Sequence, residues 1–433
     1  MVAVTVEVFK KLVFSAPITP ATEKWGVYAI PRLWREPDGD LVVRFNGEQD
    51  TACTDAMQQA PNRYFRSADD GSTWEEVPDG DSRFDIRMLL GIGAPYLRLR
   101  SGEIIAFRGK SGLAPIKGLS PKKQFYMPNG EAQIHTYRYG DIPAASKGFE
   151  RVYYKNRDSE PIVTESTLVF NEREVFVNAA VSYEGGRYEP VREYLQPYIF
   201  KNPYITGLTE LTDGTIVALT FGQNPAVEDR YCPVVYLLQS ADKGLNWHLR
   251  SIVASDATEL PYGYSGDGNE ASLTQTQTGD LLCAMRMDMS VDPDMAKPLC
   301  DTMLAVSHNG GFSWKKPIPV ADSSVTPQVL SLADGIVVLI YGRPGVHFKI
   351  SEDNGRTWGE PHSIIGLSLE EERKRGKSDA QSKYFDTSSY SNVFAEKLTE
   401  DTFVVVYNDM KYLDGDGRRH KAGFIQRITV KKV

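Results

Sequence analysis

The chain has 433 residues, 41% hydrophobic and 24% charged, enough to bury a large core as two or three ordinary domains or one closed β architecture. A net charge of −8 and a pI near 5.5 argue against nucleic acid or an anionic membrane surface as a partner. Cys53, Cys232, Cys283 and Cys300 are widely spaced with no C-x-x-C, so the sequence suggests neither a zinc site nor a disulfide framework.

The N-terminal stretch "MVAVTVEVFKKLVFSAPITP" alternates apolar and polar residues. It reads as a strand that closes a ring beside the last sheet, not as a charged n-region followed by an apolar h-region. Localisation stays unassigned: the protein is cytoplasmic, or its leader lies outside this sequence. No apolar run reaches membrane-spanning length, so no membrane insertion is expected.

Hairpins follow in chain order: "IPRLWREPDGDLVVRF", "APYLRLRSGEIIAFRG", "ITGLTELTDGTIVALTFG", "ASLTQTQTGDLLCAMR", "PQVLSLADGIVVLIYG" and "NVFAEKLTEDTFVVVYN". Their turn residues mostly suit tight β connections. Only "LSLEEERKRG", 367–376, has a helical look. Six similar units in a ring predict an all-β, six-bladed β-propeller over 1–433. Residues 112–200 fill an oversized interval and read as an insertion or extension of the second blade; a seventh blade is the alternative.

A second repeat punctuates the first. "SADDGSTW" starts at Ser67, "SADKGLNW" at Ser240, "SHNGGFSW" at Ser307 and "SEDNGRTW" at Ser351. Each follows a strand-like run. The glycine supplies positive φ and the Asp or Asn bonds local backbone N–H groups. These octapeptides lack the spaced oxygen ligands of a calcium loop, so they are expected to be structural turns.

Propeller topology converts these spacings into positions. Each first strand starts, and each second strand ends, at one mouth; the octapeptides fall on the opposite edge. Glu270 and Arg286 are equidistant from the turn at Thr278-Gly279, so a simple hairpin sets them face to face, roughly 5 Å apart at Cβ. Arg343 ends another second strand, Tyr390 precedes a first strand, and Asp55 lies on the loop after the first blade's second strand. All five are expected at the mouth.

These motifs resemble the sialidase (neuraminidase) superfamily with Asp-box, or BNR, repeats, over most of the chain outside 112–200. The resemblance implies an exo-acting, retaining glycoside hydrolase on a glycan or oligosaccharide. It makes Tyr390 the nucleophile, Glu270 its partner, Asp55 the acid/base, and Arg286 and Arg343 members of an arginine clamp for the substrate carboxylate. No metal or cofactor is required. The first arginine of the clamp belongs in a Tyr-Arg-Ile-Pro motif. Here the stretch is Tyr28-Ala29-Ile30-Pro31, and Arg32, three positions on, is expected to face the other side of the strand.

A tyrosine suits this chemistry because a carboxylate on the anomeric carbon repels a carboxylate nucleophile. Its reference pKa near 10 calls for a neighbouring base. Two other readings stand beside this one. A propeller lyase or other glycosidase acting on uronate-bearing glycans would recruit Tyr390, Arg286 and His135. A glycan-binding propeller would need no turnover.

Overall fold

A computed structural model describes residues 4–23, 27–29, 31–47, 60–78, 96–109, 123–126, 133–138, 149–156, 158–169, 176–180, 183–184, 187–188, 205, 207–223, 233–255, 270–288, 300–321, 325–342, 345–368, 370–371 and 393–432. Among them are six antiparallel units of four strands. The first is Arg32–Arg35, Leu41–Phe45, Arg63–Ser67 and Glu75–Val77. The second is Tyr96–Arg98, Ile104–Gly109, Phe149–Tyr154 and Ile162–Val169. The third is Gly207–Glu210, Ile216–Gln223, Pro233–Ser240 and Asn246–Ser255. The fourth is Ser272–Gln275, Leu281–Asp288, Cys300–Ser307 and Ile318–Ala321. The fifth is Val325–Ser331, Val337–Gly342, Val346–Ser351 and His362–Ser363. The last is Phe394–Lys397, Thr402–Leu413, Arg419–Lys432 and, from the other end of the chain, Val4–Pro17.

The first strands of all six units line one central cavity of about 750 Å³, with Leu33, Leu97, Leu208, Leu273, Val329 and Ala395 on its wall. Sheets radiating from a shared channel make the chain a β-propeller. The N-terminal strand completes the last blade, pairing from Val4 with Lys432 to Pro17 with His420. That covers an edge which would otherwise expose unpaired backbone groups.

Each blade is sandwiched between two others, so its second strand is apolar on both faces. Val337, Leu339 and Tyr341 pack against the fourth blade, while Val338 and Ile340 pack against the last. All five are buried. This explains the continuous run "VVLIYG" where an exposed sheet would alternate, each side chain contributing about 1.5–3 kcal/mol.

Within 112–200, Phe149–Tyr154 and Ile162–Val169 complete the second blade. The latter also joins the third blade in parallel, Thr167 beside Asn246. Lys123–Tyr126, Gln133–Arg138 and Phe176–Ala180 extend the third blade's sheet through Phe176 and Gln223. Of the helical stretch, Glu370 and Glu371 have helical backbone and 372–376 lie outside the described residues. No helix among the described residues is long and apolar enough to cross a membrane.

The four octapeptides connect third to fourth strands in the first, third, fourth and fifth blades. In each, the serine Oγ accepts the glycine N–H at 2.8 Å: Gly71 to Ser67, Gly244 to Ser240, Gly311 to Ser307 and Gly355 to Ser351. The Asp or Asn Oδ1 accepts the N–H four residues on, at 2.8–3.0 Å. Residue four, Asp70, Lys243, Gly310 or Asn354, is left-handed, as is the glycine after it. Arg35 pairs with Asp70 at 2.8 Å, and Arg66 with Asp38 and Asp40 at 2.9 and 2.7 Å. These contacts put the octapeptide and the first hairpin turn on the same edge of the blade.

Candidate active site at the propeller mouth

At the opposite edge the fourth blade's hairpin pairs Ser272 with Ala284. Two residues further along the same register, Arg286 donates from Nη1 to Glu270 Oε1 at 2.9 Å. Glu270 is 5% exposed and left-handed, with φ of 50°. Its second oxygen accepts the backbone N–H of Thr326 at 2.7 Å.

Thr326 belongs to the fifth blade and is fully buried. Its hydroxyl donates to Val393 O and accepts from Val393 N–H, both at 2.9 Å. One side chain therefore joins the fifth blade to the last as a pair of backbone groups would. Thr326 has φ of 47° although it is β-branched and precedes Pro327. Both features disfavour that conformation. The strand slips register between Val325 and Gln328, which accommodates it. Glu270 and Thr326 are thus two non-glycine residues in left-handed backbone, bonded to each other across a blade boundary, and the surrounding structure must hold that strain in place.

The first blade supplies the next part of the rim. Tyr28, φ of 59°, donates its N–H to Asn46 O at 2.6 Å. Gly47 follows, and Ala60 N–H donates to Gly47 O at 3.0 Å, closing the base of the interval that holds Asp55. Only glycine fits there: a Cβ on Gly47 would lie 1.9 Å from Ala60 O. Ala29 is fully buried. The Arg32 guanidinium lies over the Phe394 ring at 4.8 Å, Phe394 following Val393 in the chain.

Of the five sequence-derived site residues, Glu270 and Arg286 are in direct contact. Asp55, Arg343 and Tyr390 lie outside the described residues. Thr326 was not anticipated, because its contribution is a backbone N–H and an unusual φ. Deeper in the channel, the Glu396 carboxyl is pushed up by burial, opposed by a hydrogen bond from Tyr96 and by Arg35 and Arg98. Among the described residues no group of three His, Cys, Asp or Glu side chains could hold a metal ion.

The fold and this rim define a β-propeller with a buried glutamate–arginine ion pair at its mouth. No protein-family model and no curated protein matches the chain. Solved structures do. A protein of unknown function from Dyadobacter fermentans is similar at 18% identity and a TM-score of 0.53, over 97% of this chain and 99% of its own. An alpha-L-arabinanase from Penicillium chrysogenum is 12% identical, TM-score 0.45, over 96% and 98%. A mutant NanB sialidase from Streptococcus pneumoniae is 16% identical, TM-score 0.44, over 96% and 70%. At these identities the likeness is one of fold, and the named activities are those proteins' own.

Proposed function

We propose that the protein is an exo-acting, retaining glycoside hydrolase of sialidase type that removes a terminal acidic sugar from a glycan. The observation that carries this reading is Glu270, buried at the mouth in a strained backbone and held by Arg286 and by Thr326, whose hydroxyl clasps Val393. Tyr390 is three residues before Val393, a chain reach of at most about 11 Å. A carboxylate has about four lone-pair sites, so the two bonds on Glu270 leave capacity for a phenol proton.

In this mechanism Tyr390 Oη attacks the anomeric carbon and its proton passes to Glu270. Asp55 protonates the departing glycosidic oxygen, then takes a proton from the water that releases the sugar. Arg286 and Arg343 neutralise the substrate carboxylate, and Arg286 also orients Glu270.

The test is turnover of an aryl sialoside beside aryl glucuronides and neutral aryl glycosides, with the product anomer read by NMR. Cleavage of an acidic glycoside with retention is expected. Tyr390→Phe and Glu270→Gln should each lower kcat at least about 100-fold with the fold intact. Full turnover by Tyr390→Phe would overturn the tyrosine mechanism.

A further inference from the structure

The last blade ends on a long edge. Its outer strand, Val4–Pro17, has 14 residues, against three, four and two for the fourth strands of the first, fourth and fifth blades. The eight- and ten-residue outer strands of the second and third blades pair in part with each other. Val4–Pro17 has Arg419–Lys432 on one side, and among the described residues no strand lies on the other. Along that free side the backbone N–H and C=O groups form a template for another strand.

The edge carries apolar surface and little guard. Val8, Phe9 and Leu12 are 53%, 54% and 41% exposed. Lysines commonly protect an edge by projecting from it. Here both are drawn back onto their own chain: Lys10 Nζ lies over the Phe424 ring at 4.6 Å, and Lys11 Nζ donates to Trp74 O at 2.9 Å. Glu7 is exposed and has no ion-pair partner among the described residues.

The sequence of this edge is complementary to itself. A second copy meets it about a two-fold axis perpendicular to the sheet, which keeps every side chain on its own face. Opposed residues must therefore be both odd or both even in number, up to the bulge that begins at Leu12. Odd positions face the first blade, as the bond from Lys11 to Trp74 shows, and even positions face the fifth, where Val4 and Val6 pack. With the axis at Phe9, Glu7 of each copy stands opposite Lys11 of the other, on both sides of a Phe9–Phe9 contact. Val6 meets Leu12 on the other face. Moving the axis to Val8 sets Glu7 against Phe9, and moving it to Lys10 sets two like charges face to face.

We infer that the outer edge of Val4–Pro17 is a dimer interface, to which a second copy of this chain adds antiparallel with Phe9 at the two-fold axis. The strand runs from the turn edge to the mouth. Val4 pairs with Lys432, which bonds Glu352 O in an octapeptide, and Ala16 pairs with Lys421, which bonds Val27 O beside Tyr28 at the rim. Antiparallel addition therefore points the two mouths in opposite directions.

The experiment is sedimentation velocity of the full chain over a concentration series. The parent should dimerise. Glu7→Lys and Lys11→Glu should each weaken the dimer at least about tenfold, because each turns two attractive cross-strand pairs into repulsive ones. An equimolar mixture of the two variants should form a 1:1 heterodimer, since every lysine of one then meets a glutamate of the other. Phe9→Lys, which places like charges at the axis, should be monomeric. A parent that stays monomeric up to about 100 μM overturns the inference, even if a strand of another protein binds the edge. So does a variant that dimerises like the parent, or a mixture of folded single variants that fails to associate. If Lys11→Glu does not fold, Glu7→Lys and Phe9→Lys at exposed positions decide, and an unchanged dimer in either overturns it.

Discussion

The two edges of this propeller are built by opposite rules. On the turn edge, one octapeptide appears four times, and its serine, Asx and glycine bonds span no more than four residues. At the mouth, the contacts joining Arg286, Glu270, Thr326 and Val393 cross 16, 56 and 67 residues of sequence. The turn edge is redundant and locally determined. The mouth exists once, and three blades must be in place before its bonds can form.

The sharpest test of that contrast is Thr326→Val. The change keeps the shape but leaves the buried N–H and C=O of Val393 without their partner. We expect a loss of about 2–4 kcal/mol in urea unfolding, together with reduced kcat. Thr326→Ser keeps the hydroxyl and should stay within about 1 kcal/mol of the parent. A loss below about 1 kcal/mol for the valine would mean the mouth is as tolerant as the turns.

Smaller effects are expected on the other edge. Ser67→Ala, Ser240→Ala and Ser351→Ala each strip the acceptor from one turn glycine N–H. Each should cost about 1–2 kcal/mol, alike among the three, with kcat/KM unchanged. A change in kcat/KM would break the separation of the two edges.

The smallest effect is in acid. The backbone N–H and hydroxyl of Thr73 hold Asp69 at about 2, below its ordinary 3.8. Its stabilising contribution is therefore complete above pH 3.8 and is lost as pH falls through about 2. The fourth blade has Asn309 at the same place, where Nδ2 donates to Ser313 Oγ, so that turn carries no such dependence. Asp69→Asn should flatten the fall of Tm between pH 4 and 2, and Asn309→Asp should steepen it.

How much was legible follows the same division. The octapeptides could be read because eight residues contain all the partners. Glu270 and Arg286 could be matched because hairpin register is counted from a turn. Thr326 gave no signal, since a β-branched residue before proline argues against the φ it adopts.

The sequence by itself determined the hairpins, the turns and the Glu270–Arg286 pair, because each depends on residues close along the chain or on a fixed two-residue period. Tertiary structure alone decided that Thr326 holds Glu270 and clasps Val393. Those contacts depend on register slips and on blades meeting around a ring. The chain adopts such backbone only where packing from several directions leaves it no lower-energy alternative.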